Sequence, residues 1–270
     1  MNKRSGDCLE VRVSIVVASY NCLEDIRQTV SLKSRLSAMP IQWVFVDGAS
    51  VDGTREVISA SLNENDVLIS EPDNGIYDAW NKGIKAATSP WVIFVGAGDM
   101  VNQAWLQFVS TFSRDEKILY GDLEIAGDRK ARPKCIRRFS SWEKVIVGME
   151  KRMRMPIVGT AFSSNIFKQY SFDSQFKVIG DWDFMLRARK SFRGLYVGGV
   201  VQARMFIGGV SNSKRGLSLK RAEYKMLVKK HGVNIDLSYI VKLNSKIIVS
   251  RFGSFYSKLQ KVRWSHFIFL

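Results

Sequence analysis

The chain has 270 residues, 46% hydrophobic, 24% charged and 11% aromatic, enough to bury a substantial core in one α/β domain with or without an extension. Three cysteines without a CxxC pair argue against a disulfide framework or zinc ribbon and fit a reducing compartment; two late histidines, His231 and His266, exclude an HExxH protease and argue against Ser-His or Cys-His catalysis. The net charge of +16 is uneven: residues 1–100 hold 9 basic and 13 acidic side chains, residues 101–200 hold 18 and 10, and residues 201–270 hold 14 and 2. Such asymmetry points to a polyanionic partner, an anionic membrane surface or nucleic acid, or else to a solvated basic face.

In chain order, Val11–Ala18 is a β-branched run that predicts a buried strand. Residues 22–38 carry Leu23, Ile26, Val30 and Leu36 near helical spacing, with Asn21 as N-cap. Ile41–Asp47 predicts a second strand, Asp52-Gly53-Thr54 a turn into a second helix through Leu62, and Val67–Ser70 a third strand. A helix follows Gly75 and runs to Ala87, and Trp91–Val95 is a fourth strand. This β-α-β-α-β-α-β order implies a parallel sheet with helices on both faces, whose ligands bind beyond the carboxyl ends of the strands. Beyond residue 100 the pattern predicts a helix over Gln103–Phe112, a strand at Ile118–Gly121, and a basic stretch of loop and short helices over 128–154. Helices are also expected over 180–192 and 218–230. No secretory leader is read near the start, and no run approaches the roughly 20 apolar residues of a membrane span. The longest such run, Leu195–Val210, is broken by Gln202 and Arg204.

The strand ends supply carboxylates and hydroxyls. There is no GxGxxG after the first strand and no GxxxxGK[ST], which disfavours a dinucleotide fold and a P-loop ATPase. Asp47 and Asp99 fall at one edge of the sheet. An Asp after a strand is often a turn or helix cap, but two at one edge suit a nucleotide and a hard divalent cation.

The runs VSIVVASYN (13–21), VDGASVDGT (46–54) and SEPDNGIYDAWNKGI (70–84) resemble family-2 glycosyltransferases, most closely bacterial enzymes of O-antigen, capsule and colanic-acid synthesis, over residues 11–212. The resemblance implies a GT-A fold: an α/β, Rossmann-like, mixed but mainly parallel sheet flanked by helices. It also implies a nucleotide-diphosphate sugar donor, usually UDP-linked, a divalent metal (Mn or Mg) and inversion at the anomeric carbon. Carried over by position, Ser19, Tyr20 and Asn21 line the nucleotide pocket, Asp47 faces the base, and Ser50 and Asp52 support that loop. Asn74, Gly75, Asn81 and Lys82 shape the ribose and diphosphate side, with Gly98 beside them. Asp99 matches the last acid of the family's DxD metal motif; Ala97 stands where the first acid is usual, which implies weaker metal binding. Gly180-Asp181-Trp182-Asp183 resembles the Glu-Asp-x-Asp segment and aligns Asp181 with the catalytic base, leaving Asp183 structural or acceptor-orienting and within reach of Arg187. Without the resemblance both acids would read as complements to a helix N-terminal dipole. Gly159 and Thr160 stand where relatives often carry His-Gln, which places them on the acceptor side. Gly208-Gly209-Val210-Ser211 resembles a loop that closes over the donor, and also reads as a plain turn.

In the tail, Ile248, Phe252, Phe255, Leu259 and Val262 form one helical stripe among lysines, suited to an anionic bilayer surface or to docking on protein. The expected organisation is a glycosyltransferase domain over 1–215, with a nucleotide half (1–100) and an acceptor half (101–215), followed by a basic helical extension over 216–270. The expected activity is transfer of a sugar from a UDP-sugar to a polyprenyl-diphosphate-linked glycan at the inner face of the cell membrane. The protein would be cytoplasmic and peripheral, without nucleic acid. The competing readings are a catalytically degenerate nucleotide- or polyanion-binding module and, less supported, a nucleotidyltransferase, which would need a Gly- and Lys/Arg-rich phosphate loop.

Overall fold

The computed structural model describes residues 11–127, 135–206 and 214–234. The first half follows the expected alternation: β1 (Val13–Ser19), α1 (Leu23–Arg35), β2 (Ile41–Asp47), α2 (Thr54–Ser59), β3 (Val67–Ser70), α3 (Ile76–Ala86) and β4 (Trp91–Gly96). The second half is β5 (Met100–Val101), α4 (Gln103–Thr111), β6 (Ile118–Ala126), β7 (Cys135–Arg137), α5 (Trp142–Gly148), β8 (Ala161–Ser163), a 3-10 turn at Ser164–Lys168, α6 (Gly180–Ala188), β9 (Gly194–Phe206) and α7 (Lys214–His231).

The strands form one mixed sheet in the order β3-β2-β1-β4-β8-β6-β9-β5, with β7 paired to β6. β3, β2, β1 and β4 are parallel, β8 runs antiparallel to both β4 and β6, and β9 pairs parallel to β6. The chain reverses its winding between β1 and β4, the switch point where open α/β sheets open a crevice for ligand.

The strand period of two explains both cores. In β1, β2 and β4 the odd-numbered Ile15, Val17, Trp43, Phe45, Ile93 and Val95 face α1, α2 and α4; the even-numbered Val16, Val44, Val46, Val92 and Phe94 face α3, α5, α6 and α7. Burial on both faces accounts for the unbroken apolar runs. α3 lies very close to β1, because a Cβ on Gly83 would stand 2.3 Å from Val16 Cγ1.

Several expectations change. The apolar run at 195–210 begins as the long strand β9, with Gln202 buried in the sheet and donating to Val158 O at 2.6 Å. The strand expected at 118–121 continues to Ala126, since β9 offers it a parallel partner over that length. α6 stops at Ala188, four residues short of the expected end, and α7 starts at Lys214. The domain boundary drawn at residue 215 therefore falls inside α7, whose Leu217, Tyr224 and Leu227, with Val233 beyond its end, belong to the α3–α6 core. The stripe at 248–262 and the segment 208–211 lie outside the described residues. Among the described residues no helix is long and apolar enough to cross a membrane.

Candidate active site

The β1 and β2 ends are stitched together by short polar side chains. Asn21, at φ 44°, donates its N–H to Ser50 Oγ (2.8 Å), and its Oδ1 accepts from Val51 N–H (2.9 Å). Asn21 is thus not the N-cap of α1. Cys22 occupies that position without a side-chain cap, and the first helical N–H, that of Leu23, goes to Asp52 Oδ2 at 3.0 Å. Asp52 Oδ1 also accepts from Thr54 N–H, so one carboxylate serves the starts of α1 and α2.

Asp47 is fully buried at the end of β2. Its oxygens accept from Ser19 Oγ (3.3 Å), Ser70 Oγ (2.9 Å), and the hydroxyl and N–H of Ser50. The carboxylate joins the ends of three strands. No face of Asp47, expected to meet a base, is open to solvent in this structure. Tyr20, 65% exposed, lies beside Gly48, the residue that follows Asp47.

On the β3 side, Gly75 takes φ +105° and donates to Asp73 Oδ1 at 2.7 Å, and Asn74 N–H donates to Asp78 Oδ2 at 2.9 Å. Two residues expected to face the donor are committed elsewhere. Asn81 makes a two-way bond with the Phe172 backbone, donating to its carbonyl at 2.8 Å and accepting from its N–H at 2.9 Å. Lys82 pairs with Glu71 at 2.9 Å and donates to Pro72 O at 2.8 Å.

After β4, Gly98 sits at φ +88° with its N–H on Thr29 Oγ1 (2.9 Å), which ties this turn to α1. Asp99 follows. Its Oδ1 accepts from Phe206 N–H at 3.1 Å, and burial pushes its carboxyl up to about 7. Among the described residues it makes no ion pair.

Asp181 stands in the first turn of α6. Its Oδ1 accepts from Trp182 N–H (2.9 Å) and from the Tyr77 hydroxyl (3.2 Å), which comes from the first turn of α3. Burial raises the Asp181 carboxyl above its ordinary value, while the Trp182 N–H, the Tyr77 hydroxyl and the charge of Lys220 on α7 pull it back. Lys177 closes the gap between the two helices, its ammonium reaching the carbonyls of Asn74 and Ser174. Asp181 is thereby held to the loop that follows β3, at the carboxyl edge of the sheet. A part-buried carboxylate with a raised proton affinity at such an edge is equipped to take a proton.

A family model described as glycosyl transferase family 2 matches residues 14–174, more than half the chain. The chain belongs to that family. This family-2 glycosyltransferase is 26% identical over 211 residues to a "PGL/p-HBAD biosynthesis glycosyltransferase" of Mycobacterium tuberculosis, covering 74% of this chain and 79% of the relative. It is 22% identical to an uncharacterized glycosyltransferase of Bacillus subtilis over 83% of this chain and 85% of the other. Its fold matches Staphylococcus aureus TarS 1–349 solved with UDP-GlcNAc, at a TM-score of 0.57, 15% identity, 90% of this chain and 73% of that one. It spans only 43% of another solved TarS chain. It also matches glucosyl-3-phosphoglycerate synthase of Mycobacterium tuberculosis solved with Mn2+, UDP and product, at 0.54, 16% identity and 83% and 81% coverage. Family membership makes it a glycosyltransferase with a GT-A-like fold.

Two expected acceptor residues of this family-2 enzyme are core residues. Thr160 is fully buried and donates to Pro156 O at 2.6 Å; Gly159, at φ +78°, packs where a Cβ would come within 2.7 Å of Ala203 Cβ. Asp183 is likewise fully buried and faces α7, bound by Arg187 Nε (2.9 Å), Lys230 Nζ (2.8 Å) and His231 Nε2 (2.8 Å). Of its two expected roles, structural or acceptor-orienting, these contacts supply a structural one, a joint between α6 and α7. Sequence reasoning missed Tyr77 and Glu223. The signal for Glu223 was its isolation, as one of two acids in the last 70 residues.

Proposed function

We propose that the protein is an inverting glycosyltransferase that uses a UDP-sugar, with Asp181 as general base. The observation that carries this reading is Asp181 itself, a desolvated carboxylate held by Tyr77 at the carboxyl edge of a family-2 sheet. In the single displacement, the acceptor hydroxyl oxygen bonds to the anomeric carbon, its proton passes to Asp181, and the bond from that carbon to the diphosphate oxygen breaks, releasing UDP. Attack opposite the leaving group inverts the centre. A carboxylate in reach of the hydroxyl contributes about 10²- to 10⁴-fold.

The Tyr20 ring, exposed over the β1 end, is available to stack on a base, with the Asn21–Ser50 clip holding its loop. Asp99, a carboxylate with no paired cation among the described residues and next to the Gly98 turn, is the residue that would hold a magnesium or manganese ion, together with diphosphate oxygens and water. Such an ion, when bound, neutralises charge on the departing diphosphate.

The acceptor in this reading is a polyprenyl-diphosphate-linked glycan of surface polysaccharide synthesis, met at an anionic membrane surface by the basic C-terminal part. The net charge of residues 201–270 supports that placement.

Calorimetry with UDP, GDP and TDP, with and without manganese, tests the donor reading. Metal-dependent binding of UDP that is lost in Asp99→Ala is the expected result, and binding of none of the three by folded protein overturns it. Asp181→Asn is expected to bind UDP normally and to lose transfer. Ala97, in place of a second acid, favours one rival, a nucleotide-binding module without activity; it predicts that the unsubstituted protein releases no UDP from any donor.

A further inference from the structure

α6 begins without a local cap. Ile179 occupies the N-cap position with no side-chain bond, and the segment ahead of it, Lys177–Ile179, turns three consecutive N–H groups inward. Buried N–H groups of this kind need acceptors, which a nearby Ser, Thr, Asp or Asn ordinarily supplies. Here the acceptor comes from α7. Glu223 is 3% exposed, and its Oε1 accepts from Lys177 N–H at 2.6 Å while its Oε2 accepts from Val178 N–H at 3.0 Å and Ile179 N–H at 2.9 Å.

We propose that Glu223 is a positioning residue for the Asp181 base, fixing the entry of α6 so that the carboxylate two residues beyond Ile179 faces the acceptor hydroxyl. The proposal rests on the reading of Asp181 as base.

Three observations separate this from generic helix packing. The bonds end two residues from Asp181, on the backbone that sets its direction. Glu223 is the single acid of α7, with Lys220 one turn before it and Lys230 and His231 beyond it. α7 grips α6 at two further places, through Tyr224, whose ring meets Trp182 edge-on at 5.7 Å, and through Lys230 and His231 on Asp183. Those two hold the helix body, whereas Glu223 holds the backbone N–H groups of the bend that leads into its first turn. A misplacement of about 1 Å in reacting geometry costs on the order of 100-fold in rate.

The test uses the full chain and four variants, Glu223→Gln, Glu223→Asp, Glu223→Ala and Asp181→Asn. UDP release is followed from UDP-glucose, UDP-galactose and UDP-N-acetylglucosamine with manganese and water as acceptor. Gln keeps the size of the side chain and one carbonyl oxygen but turns an NH₂ donor toward N–H donors. The expected result is a loss of about 100-fold in kcat for Glu223→Gln at a donor KM within about twofold, with partial recovery in Glu223→Asp. Amide exchange at Lys177, Val178 and Ile179 is expected to speed up in Glu223→Gln while the β1 and β4 amides keep their protection, and this measurement stands in where Glu223→Ala does not fold. Unchanged kcat in a folded Glu223→Gln, or unchanged exchange at the three amides, overturns the proposal. If Asp181→Asn is inactive while Glu223→Gln is fully active, only the Glu223 assignment falls. If Asp181→Asn keeps its turnover, the base assignment falls and takes this proposal with it.

Discussion

Tyr77 and Gly180 share one volume. A Cβ on Gly180 would stand 2.7 Å from Tyr77 Cδ2 and 3.0 Å from Phe176 Cβ, so the glycine is what lets the tyrosine ring lie over the start of α6. The ring is buried, stacks at 5.7 Å on Phe172 and meets Trp80 edge-on at 5.5 Å, which fixes its hydroxyl toward Asp181. Tyr77→Phe keeps this packing and removes one hydrogen bond to a carboxylate, a change of about 1.5–3 kcal/mol for a charged acceptor. The sign on pH follows from the base role. Asp181 works deprotonated, and its surroundings are Tyr77 from α3, the Trp182 N–H from α6 and Lys220 from α7, with Glu223 facing Tyr77. Removing a donor to the charged form raises the Asp181 proton affinity further, so the rising limb of the kcat–pH profile is expected to move to higher pH in Tyr77→Phe. A profile unmoved from that of the unsubstituted protein contradicts the coupling. The motif resemblance singles out Asp181, because its spacing from Trp182 and Asp183 is local. It does not single out Tyr77, because its partner lies 104 residues away in the chain.

At the scale of elements, the close approach of α3 to β1 sets two effects against each other at Gly83. Helix propensity favours Ala over Gly by about 1 kcal/mol. The added methyl, however, would meet Val16 Cγ1 at 2.3 Å and Val46 Cγ2 at 3.3 Å on a strand paired on both sides. Overpacking of this kind costs about 1–3 kcal/mol, so Gly83→Ala is expected to lower the urea midpoint. The joint between α6 and α7 depends on charge. Asp183→Ala leaves Arg187 and His231 without their shared carboxylate, while Lys230 keeps Asp173 at 2.7 Å; with Arg187 and Lys230 part-exposed, the loss is expected at about 1.5–3 kcal/mol. Urea unfolding of Asp183→Ala measures it, and a loss below about 1 kcal/mol would mean that the three partners reach water instead. The elements themselves differed in legibility for a physical reason. β2 and β3 were readable to the residue because each is an apolar run bounded by turn residues. β5, β7 and β8 are two or three residues long and exist only through antiparallel pairing with β9, β6 and β4, so no local periodicity announces them. β9 is long but was read as an apolar stretch, because Gly198-Gly199 interrupts its alternation where its register to β6 shifts.

For the whole molecule, the distribution of charge and the location of the core make separable demands on the C-terminal part. α7 is basic, yet Leu217, Tyr224, Leu227 and, just beyond it, Val233 are buried in the same core as Trp80, Phe94 and Trp182. Truncation at residue 215 removes these side chains together with Glu223, and each is worth about 1.5–3 kcal/mol of burial, a total comparable to the whole stability of an ordinary domain. A chain ending at 215 is therefore expected to be insoluble or unfolded by circular dichroism, whereas a chain ending at 234 keeps every core residue named here and is expected to melt cooperatively. The 36 residues between, 235–270, hold six basic side chains and one acid, Asp236. If they meet an anionic bilayer, each Lys or Arg at the surface contributes about 1 kcal/mol, an attraction that fades within a Debye length of about 8 Å at physiological salt. The full chain is expected to sediment with phosphatidylglycerol vesicles and not with phosphatidylcholine ones, and the 1–234 chain is expected to lose most of that binding while retaining UDP affinity. Retention of vesicle binding by the shorter chain would assign the membrane contact to the basic surface of residues 135–154 instead, where Arg137, Arg138, Lys144, Lys151 and Arg152 lie exposed around Ile136 and Val147.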